Sequence, residues 1–261
     1  MNEDMCKIFE LMWEDFPDTL SNGNYQFNED NIHNKYCSDN PDNCKTDLNK
    51  INAVCFVLFE IFFADSDSLM KNAKNNINIA AYILAWLSYI LNLKENDGIK
   101  NINEFYEKYI KGNDKYNKLI TDVHGYTSYQ NIIDKYKELV TGDFNYMSKF
   151  YPPLKSLCSM YTECIRCKSD CTNCLEKAKD FAQKYNGLEN YNNNESDSYK
   201  NVLYSLSTDY NNLKKYLSEV FYSCNDTTFP DIESPQGSFQ IFEATSSSSS
   251  IASKLIPVLL T

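Results

Sequence analysis

The chain has 261 residues, 43% hydrophobic and 14% aromatic, which is enough for one or two domains with a sizeable core. Its seven glycines and seven prolines are few for a β-sandwich or barrel, which needs a turn about every ten residues, so the composition favours helices. With a net charge of −11 and no basic patch, the chain repels phosphate backbones, which argues against a nucleic-acid partner.

Hydrophobic periodicity predicts an all-α, irregular helical bundle of about seven to nine helices, cross-linked by disulfides. Thr46 is the predicted N-cap of a strongly apolar core helix, and Trp86 lies in the apolar stripe of the next one. Ser128 is a second predicted N-cap, and the pair Pro152-Pro153 is expected to restart or kink the chain. Besides the helix after Thr46, the predicted helices cover residues 2–16, 70–93, 101–111, 128–141, 143–150, 154–166, 172–186 and 197–222.

The composition divides the chain into three parts. Residues 1–224 form the predicted helical body, whereas residues 225–250 contain two prolines, acidic residues and a serine run, which predict a disordered tether. Residues 251–261 are apolar, but the run of about ten residues is half of the roughly twenty that a transmembrane helix needs. Taken alone, this end is half of a transmembrane helix.

Ten cysteines are many for a cytosolic protein of this size and point to an oxidising compartment. The acidic start of the chain, however, has no apolar segment of the kind found in cleavable signal peptides. These observations leave two alternatives open, a cytosolic metal or thiol role and export by an unusual route. Cys55 lies on the most apolar helix and is expected to be a buried thiol or an inward-facing half-cystine. The candidate disulfide cysteines are Cys6, Cys37, Cys44, Cys158, Cys164, Cys167, Cys171, Cys174 and Cys224.

The densest group of cysteines contains two C-x-x-C units, Cys164-Ile-Arg-Cys167 and Cys171-Thr-Asn-Cys174. Four thiolates in such an arrangement could bind zinc or an iron–sulfur cluster. Zinc ribbons usually place about 15–20 residues between the two units, whereas three residues intervene here. A disulfide-tied junction between two helices is therefore preferred, with metal ligation by these four cysteines and redox-active thiols as the alternatives. A clamp of the body through Cys6 and Cys224, near its opposite ends, is also open, since pairs cannot be assigned from sequence.

No combination of residues predicts catalysis. His33 and His124 are the only histidines, and neither stands at a catalytic or metal-ligating spacing. The acidic residues are scattered over helix faces, as solvated surface residues are. The sequence has no phosphate-binding loop, dinucleotide fingerprint, nucleophile elbow or H-E-x-x-H motif. We therefore predict a protein that is not an enzyme and that binds no cofactor.

Several segments, in the same order along the chain, resemble one protein family. They include Ile51-Asn-Ala-Val-Cys-Phe-Val-Leu-Phe, Trp86-Leu-Ser-Tyr-Ile-Leu-Asn-Leu-Lys and Gly98-Ile-Lys-Asn-Ile-Asn-Glu-Phe-Tyr106. Further along are Cys171-Thr-Asn-Cys-Leu-Glu-Lys-Ala178 and, after a serine run, Ile251-Ala-Ser-Lys-Leu-Ile-Pro-Val-Leu259. Over essentially its whole length, the chain resembles the Plasmodium interspersed repeat (PIR; Yir/Bir/Cir) family, the variant antigens of malaria parasites.

The resemblance implies a variant surface antigen, exported to the surface of the infected erythrocyte or of the parasite with its ectodomain outside, for host interaction and immune evasion. Family members typically lack a cleavable signal yet are exported, which would reconcile the acidic start with the many cysteines. The implied partners are a host protein or glycan receptor, host antibodies, and a membrane reached through a C-terminal helix that is incomplete here. The resemblance implies that residues 251–261 are the truncated start of that helix, in a truncated gene product or a fragment. Cys164 and Cys167 are additional to the usual family pattern. The alternative is a soluble intracellular interaction module with a cysteine-rich metal site.

Overall fold

The computed structural model describes residues 1–28, 37, 44–64, 76–121, 123, 125–141, 144–166, 171–189, 197–220 and 228–233. Within these ranges the regular structure is helical, and two short β-bridges close tight turns, one between Ser21 and Asn24 and one between Asn96 and Ile99. Gly98 has a φ of +74° in the second turn, a backbone conformation that glycine adopts without steric cost.

The helices, in chain order, are α1 (Glu3–Asp15), α2 (Asp47–Phe63), α3 (Asn78–Asn92), α4 (Ile102–Phe105), α5 (Tyr129–Lys135), α6 (Lys137–Thr141), α7 (Phe144–Ser148), α8 (Tyr151–Arg166), α9 (Cys171–Glu189) and α10 (Asp197–Val220). A π-helical turn, Tyr106–Ile110, directly extends α4, and Tyr136 alone separates α5 from α6. When each of these pairs is counted once, the described part of the chain holds nine helical units. The predicted all-α bundle of seven to nine helices is confirmed.

Polar caps fix the starts of several helices. The Thr46 hydroxyl accepts a hydrogen bond from the Asn49 amide at 3.2 Å, and the Ser128 hydroxyl accepts one from the Asn131 amide at 3.1 Å. Both side chains satisfy amides that have no partner inside the helix, as the sequence predicted. The Asn101 side chain does the same for α4, accepting from the Glu104 amide at 2.9 Å.

Some helix boundaries differ from those predicted, for reasons of backbone geometry. Helix α8 begins at Tyr151, so Pro152 and Pro153 lie in its first turn, where a missing amide hydrogen breaks no intrahelical bond. The predicted helix over 128–141 is interrupted at Tyr136, where φ is −96° and ψ is 28°. The predicted helix over 101–111 changes from α to π geometry after Phe105.

Helix α3 is the central element of the fold. It packs against α2, α7, α8 and α10, and it is apolar on all sides, as a helix enclosed by others must be. Trp86 on α3 is fully buried, as predicted, and its ring meets Phe16 edge-to-face with the centroids 6.0 Å apart. Helix α8 connects the two sides of the body because it contacts α1, α9 and α10 as well as α3.

A short segment, residues 228–233, folds back along α10. Phe229 is buried, the Tyr210 hydroxyl donates to the Pro230 carbonyl at 2.8 Å, and Lys214 Nζ lies 2.6 Å from Asp231 Oδ1. This part of the predicted tether therefore belongs to the packed body. The rest of the predicted tether, residues 225–227 and 234–250, and the predicted membrane segment, residues 251–261, lie outside the described residues.

Candidate interaction surface and disulfide framework

Three disulfides connect six of the nine candidate cysteines. Cys6 on α1 is bonded to Cys158 on α8, which fixes the contact between these helices. Cys164 near the end of α8 is bonded to Cys174 in the first turn of α9, so the α8–α9 hairpin is closed at its tip. The third bond joins Cys37 to Cys44, seven residues apart, ahead of α2.

The structure does not describe the side chains of the other three candidate cysteines. Cys167 and Cys224 lie outside the described residues, and of Cys171 only the backbone is described, as the first residue of α9. Because Cys6 is bonded to Cys158, the alternative of a clamp between Cys6 and Cys224 is wrong. Two of the four sulfurs of the metal alternative, those of Cys164 and Cys174, are bonded to each other in this structure, and a sulfur in a disulfide is not a thiolate ligand. Within the described ranges, no group of three or more histidine, cysteine and acidic side chains is placed to hold a metal.

Cys55 is a free thiol in the middle of α2, and it is completely buried. Burial raises the pKa of this thiol to about 12, since a thiolate would lose its hydration inside the apolar core. The thiolate is the reactive form, so Cys55 is chemically inert in the folded protein. Of the two expectations for Cys55, the structure selects the buried thiol.

A buried polar network surrounds Asp209 on α10. Its carboxylate pairs with the α-amino group of Met1 and accepts a hydrogen bond from the Tyr82 hydroxyl at 2.7 Å. The Tyr161 hydroxyl donates to the Met1 carbonyl at 3.1 Å. Burial and the neighbouring Asp209 raise the pKa of both tyrosines, which keeps them neutral hydrogen-bond donors. The network thus connects α3, α8, α10 and the first residue of the chain.

A second network surrounds Asp18, which follows α1. The Tyr151 hydroxyl donates to Asp18 Oδ2 at 2.7 Å, and Lys155 Nζ donates to Asp18 Oδ1 at 2.8 Å. Lys155 Nζ also lies 5.2 Å from the Trp13 ring, and the Tyr89 ring packs against that of Tyr151 with the centroids 4.5 Å apart and the planes tilted by 36°. Both buried carboxylates are therefore engaged by fixed donors from other helices, an arrangement that stabilises packing. His33 and His124 lie outside the described residues.

The most distinctive outward-facing cluster lies where the π-helical turn meets α5. The Tyr106 hydroxyl donates to the Asp134 carboxylate and so connects the two elements. Lys108 Nζ lies 5.3 Å from the centre of the Tyr109 ring, and Lys135 Nζ lies 5.5 Å from that of Tyr126. We call this cluster the lysine–tyrosine surface: Tyr106, Lys108, Tyr109, Tyr126 and Lys135. All three of its tyrosines are half-buried, and Lys108 is exposed.

A long loop, residues 111–128, separates the two halves of this surface along the chain and is held by specific bonds. The Gly112 amide donates to Gln130 Oε1 at 2.9 Å, and the Ile120 amide donates to the Thr127 carbonyl at 3.0 Å. The buried Tyr116 hydroxyl donates to Asn52 Oδ1 on α2 at 3.0 Å. Loops of this length without regular structure are uncommon in compact domains and often functional.

Sequence reasoning did not single out the lysine–tyrosine surface. The run Tyr106-Glu-Lys-Tyr109 was visible in the sequence, but aromatic residues at such spacing more often belong to a core. The contact of Tyr106 with Asp134 depends on how the 111–128 loop brings the chain to α5, which no local pattern specifies. A π-helical turn is a further signal, because such turns occur frequently at functional sites.

The family model described as "Plasmodium variant antigen protein Cir/Yir/Bir" matches residues 6–261. The chain belongs to this family. A solved Plasmodium structure, "Structure of a Plasmodium PIR protein ectodomain", is similar to it with 29% sequence identity and a TM-score of 0.64. The similarity covers 90% of this chain and 98% of that ectodomain. No curated protein matched the chain.

Membership of the Cir/Yir/Bir family agrees with the resemblance found in the sequence, and the fold of the helical body is similar to that of the solved PIR ectodomain. Among the described residues of this PIR protein, none of the helices has both the length and the apolar character to cross a bilayer. The predicted membrane segment, residues 251–261, is not among them.

Proposed function

We propose that this PIR protein is a non-enzymatic variant surface antigen whose helical body is displayed outside the parasite or the infected erythrocyte. The observation that carries the proposal is the similarity to a PIR ectodomain over 98% of that chain, joined with a family match over residues 6–261. Three disulfides suit an exported domain, because such bonds persist in oxidising surroundings. The partners are a host protein or glycan receptor and host antibodies, and binding to them serves immune evasion.

The surface of the body supports display more than catalysis. Its buried carboxylates, Asp18 and Asp209, are held by tyrosines and cations that join helices. The lysine–tyrosine surface and residues 117–119 of the 111–128 loop instead face solvent. Groups that contact a partner are commonly carried on loops above a rigid scaffold.

Surface labelling tests display directly. Antibodies raised against the folded chain are applied to infected cells before and after permeabilisation, with an antibody to a parasite cytosolic protein as the control. Staining of intact cells is expected for the displayed antigen. Staining that requires permeabilisation of both the erythrocyte and the parasite would contradict the proposal.

The compartment has a second, chemical test. Protein isolated from parasites after blocking free thiols should migrate faster on a non-reducing gel than on a reducing gel, because a disulfide between positions 6 and 158 keeps the denatured chain compact. Equal mobility, with stoichiometric zinc released on acid treatment, would favour the alternative of an intracellular module that binds metal through its four clustered cysteines.

A further inference from the structure

The tip of the α8–α9 hairpin contains more cysteines than its disulfide uses. Cys164 and Cys174 are bonded to each other across the tip. Cys167 and Cys171 stand between them in the sequence, so four sulfurs belong to one run of eleven residues. The bond across the tip uses only two of them.

The number of cysteines requires a further thiol besides Cys55. Of the ten cysteines in the chain, six form the three disulfides and Cys55 is a buried free thiol, which leaves three. These three are Cys167, Cys171 and Cys224. Because three is an odd number, at most one bond can form among them. One more thiol therefore remains in every fully oxidised form of the single chain.

Position 171 lies one helical turn from a bonded sulfur. Helix α9 begins at Cys171, and Cys174 follows three residues later in the same turn. Residues three apart in an α-helix lie on the same face, with Cβ atoms about 5–6 Å apart. Helix ends fray, so a small shift of the first residue reduces this separation to the roughly 4 Å of a disulfide. The C-x-x-C spacing is also that of enzymes that exchange disulfides.

Burial protects the tip disulfide from reagents in solution but not from a thiol on the same helix. Cys164 is 3% exposed and Cys174 is 4% exposed, so an external thiol has little access to either sulfur. Attack by an internal thiol is unimolecular and needs no access from solvent. The start of a 19-residue helix also favours an anion, and the thiolate is the attacking form.

We propose that Cys171 exchanges with the Cys164–Cys174 disulfide, so that the tip has two covalent forms. The Cys171 thiolate attacks the sulfur of Cys174, and a Cys171–Cys174 bond forms as the Cys164–Cys174 bond breaks. The electron pair leaves with the sulfur of Cys164, which takes up from water the proton that Cys171 released. One sulfur is oxidised and one is reduced, so the step needs no other oxidant or reductant.

The exchange replaces a bond across the hairpin with a bond inside α9. The hairpin stays assembled in both forms, because α8 and α9 pack along each other and the Asn173 side-chain amide donates to Glu163 Oε2 at 3.2 Å. The end of α8 is tied covalently to α9 in one form and released from it in the other. This inference goes beyond the proposed function and requires only that the chain is oxidised.

Trypsin cuts between the cysteines of the tip, so the two forms give different peptides. Cleavage after Arg166 leaves Cys164 in peptide 156–166, and cleavage after Lys168 leaves the other two sulfurs together in peptide 169–177. The observed bond joins these two peptides. The exchanged bond lies inside peptide 169–177 and leaves a thiol on the other peptide.

The experiment maps the disulfides of the full oxidised chain. After incubation at about pH 7.5, the protein is denatured in acid, its thiols are blocked with N-ethylmaleimide, and the unreduced digest is analysed by mass spectrometry. We expect both forms, with a blocked Cys164 on at least about one chain in ten. The exchanged form closes a loop of three residues instead of ten, and this smaller loss of chain entropy offsets the packing that the exchange gives up.

Single substitutions identify the attacking sulfur. Cys171→Ser should reduce the blocked Cys164 to background and leave the two peptides cross-linked in every chain. Cys167→Ser makes the same change elsewhere in the tip, and the blocked Cys164 should stay within about twofold of the parent. Circular dichroism shows that each variant keeps its fold.

The Cys6–Cys158 bond is the internal control for oxidation, since it links peptide 1–7 to peptide 156–166 in both forms. A blocked Cys164 on a chain that lacks this link arises from incomplete oxidation and is not counted.

Three results would overturn the inference: no internally bonded peptide 169–177 in the parent, a blocked Cys164 that persists after Cys171→Ser, or a loss of exchange caused by Cys167→Ser. A bond between Cys171 and another cysteine than Cys174 in every chain would do the same, because the attacking thiol would then be missing. Failure of the proposed function is seen separately, since antibody labelling of intact cells does not depend on the form of the tip.

Discussion

Removing the Cys6–Cys158 disulfide should destabilise the protein more than removing Cys37–Cys44, because the two bonds close loops of very different length. The first joins positions 152 residues apart and the second positions seven residues apart. A cross-link restricts the unfolded chain, and the restriction grows with the logarithm of the loop length. The chain-entropy relation gives a loss of about 5 kcal/mol for the long loop and about 2.4 kcal/mol for the short one.

Removing this disulfide also removes packing in the core, and the stability lost in this way must be separated from the loss due to loop entropy. Cys6 and Cys158 are both fully buried, so replacing them with alanine also removes contacts in the core. The variant Cys6→Val with Cys158→Ala fills most of the lost volume without restoring the cross-link. Its stability should therefore stay close to that of the double alanine variant if the loss arises in the unfolded chain.

Urea unfolding of the oxidised proteins measures both terms. The Cys6/Cys158 variant should show a lower free energy of unfolding and a larger m-value, since the released chain exposes more surface when it unfolds. The Cys37→Ala, Cys44→Ala variant is the matched control. Equal losses for the two pairs, with an unchanged m-value, would refute the loop-length reasoning and assign the stabilisation to local packing.

Four other predictions follow from buried groups and from the loop. Trp86→Ala should lower the free energy of unfolding by about 3–5 kcal/mol, because the ring is fully buried in α3; a melting temperature close to that of the parent would contradict this. Tyr151→Phe keeps the ring but removes the donor to Asp18, and should cost about 1–2 kcal/mol in urea unfolding, whereas a neutral result would mean that Lys155 alone satisfies the carboxylate. Cys55 should resist iodoacetamide at pH 8 and react only in denaturant, because a thiol whose pKa is raised to about 12 carries little thiolate at pH 8. Mass spectrometry of labelled peptides checks this, and modification of Cys55 in the native protein would contradict it. Leu119→Ser should change stability by less than about 0.5 kcal/mol, and a larger loss would show that this exposed side chain packs in solution.

Local signals in the sequence predicted the helices well. The 3.6-residue spacing of apolar side chains and the polar caps at Thr46 and Ser128 are properties of a few neighbouring residues, and the structure has both caps in place. The interruption at Tyr136 was not predicted, although the Tyr136 hydroxyl gives one reason for its position. It donates to the Ile77 carbonyl at 2.9 Å, a contact between segments distant in sequence.

Long-range pairing lay beyond sequence reasoning. Tyr82 and Asp209 are 127 residues apart, and Tyr151 and Asp18 are 133 apart, so neither pair leaves a periodic pattern. The same holds for the partner of Cys6, which could be assigned only once α1 and α8 were seen in contact. Hydrophobic periodicity predicted the fold class and the family resemblance implied the expected role, but the lysine–tyrosine surface emerged only from the positions of the π-helical turn and α5.

The 111–128 loop has buried side chains that fix it to the body and exposed side chains between them. Its inward side chains, Tyr116, Ile120 and Val123, are buried, and the Tyr116 hydroxyl is fixed to Asn52 on α2. Between the first two of these anchors, residues 117–119 are exposed. Exchange of exposed side chains away from buried contacts usually changes stability little, whereas loss of a buried aromatic ring costs several kcal/mol. Because α2 and the disulfides hold the scaffold independently of these exposed residues, the loop surface can change in sequence while the helices that carry it remain in place.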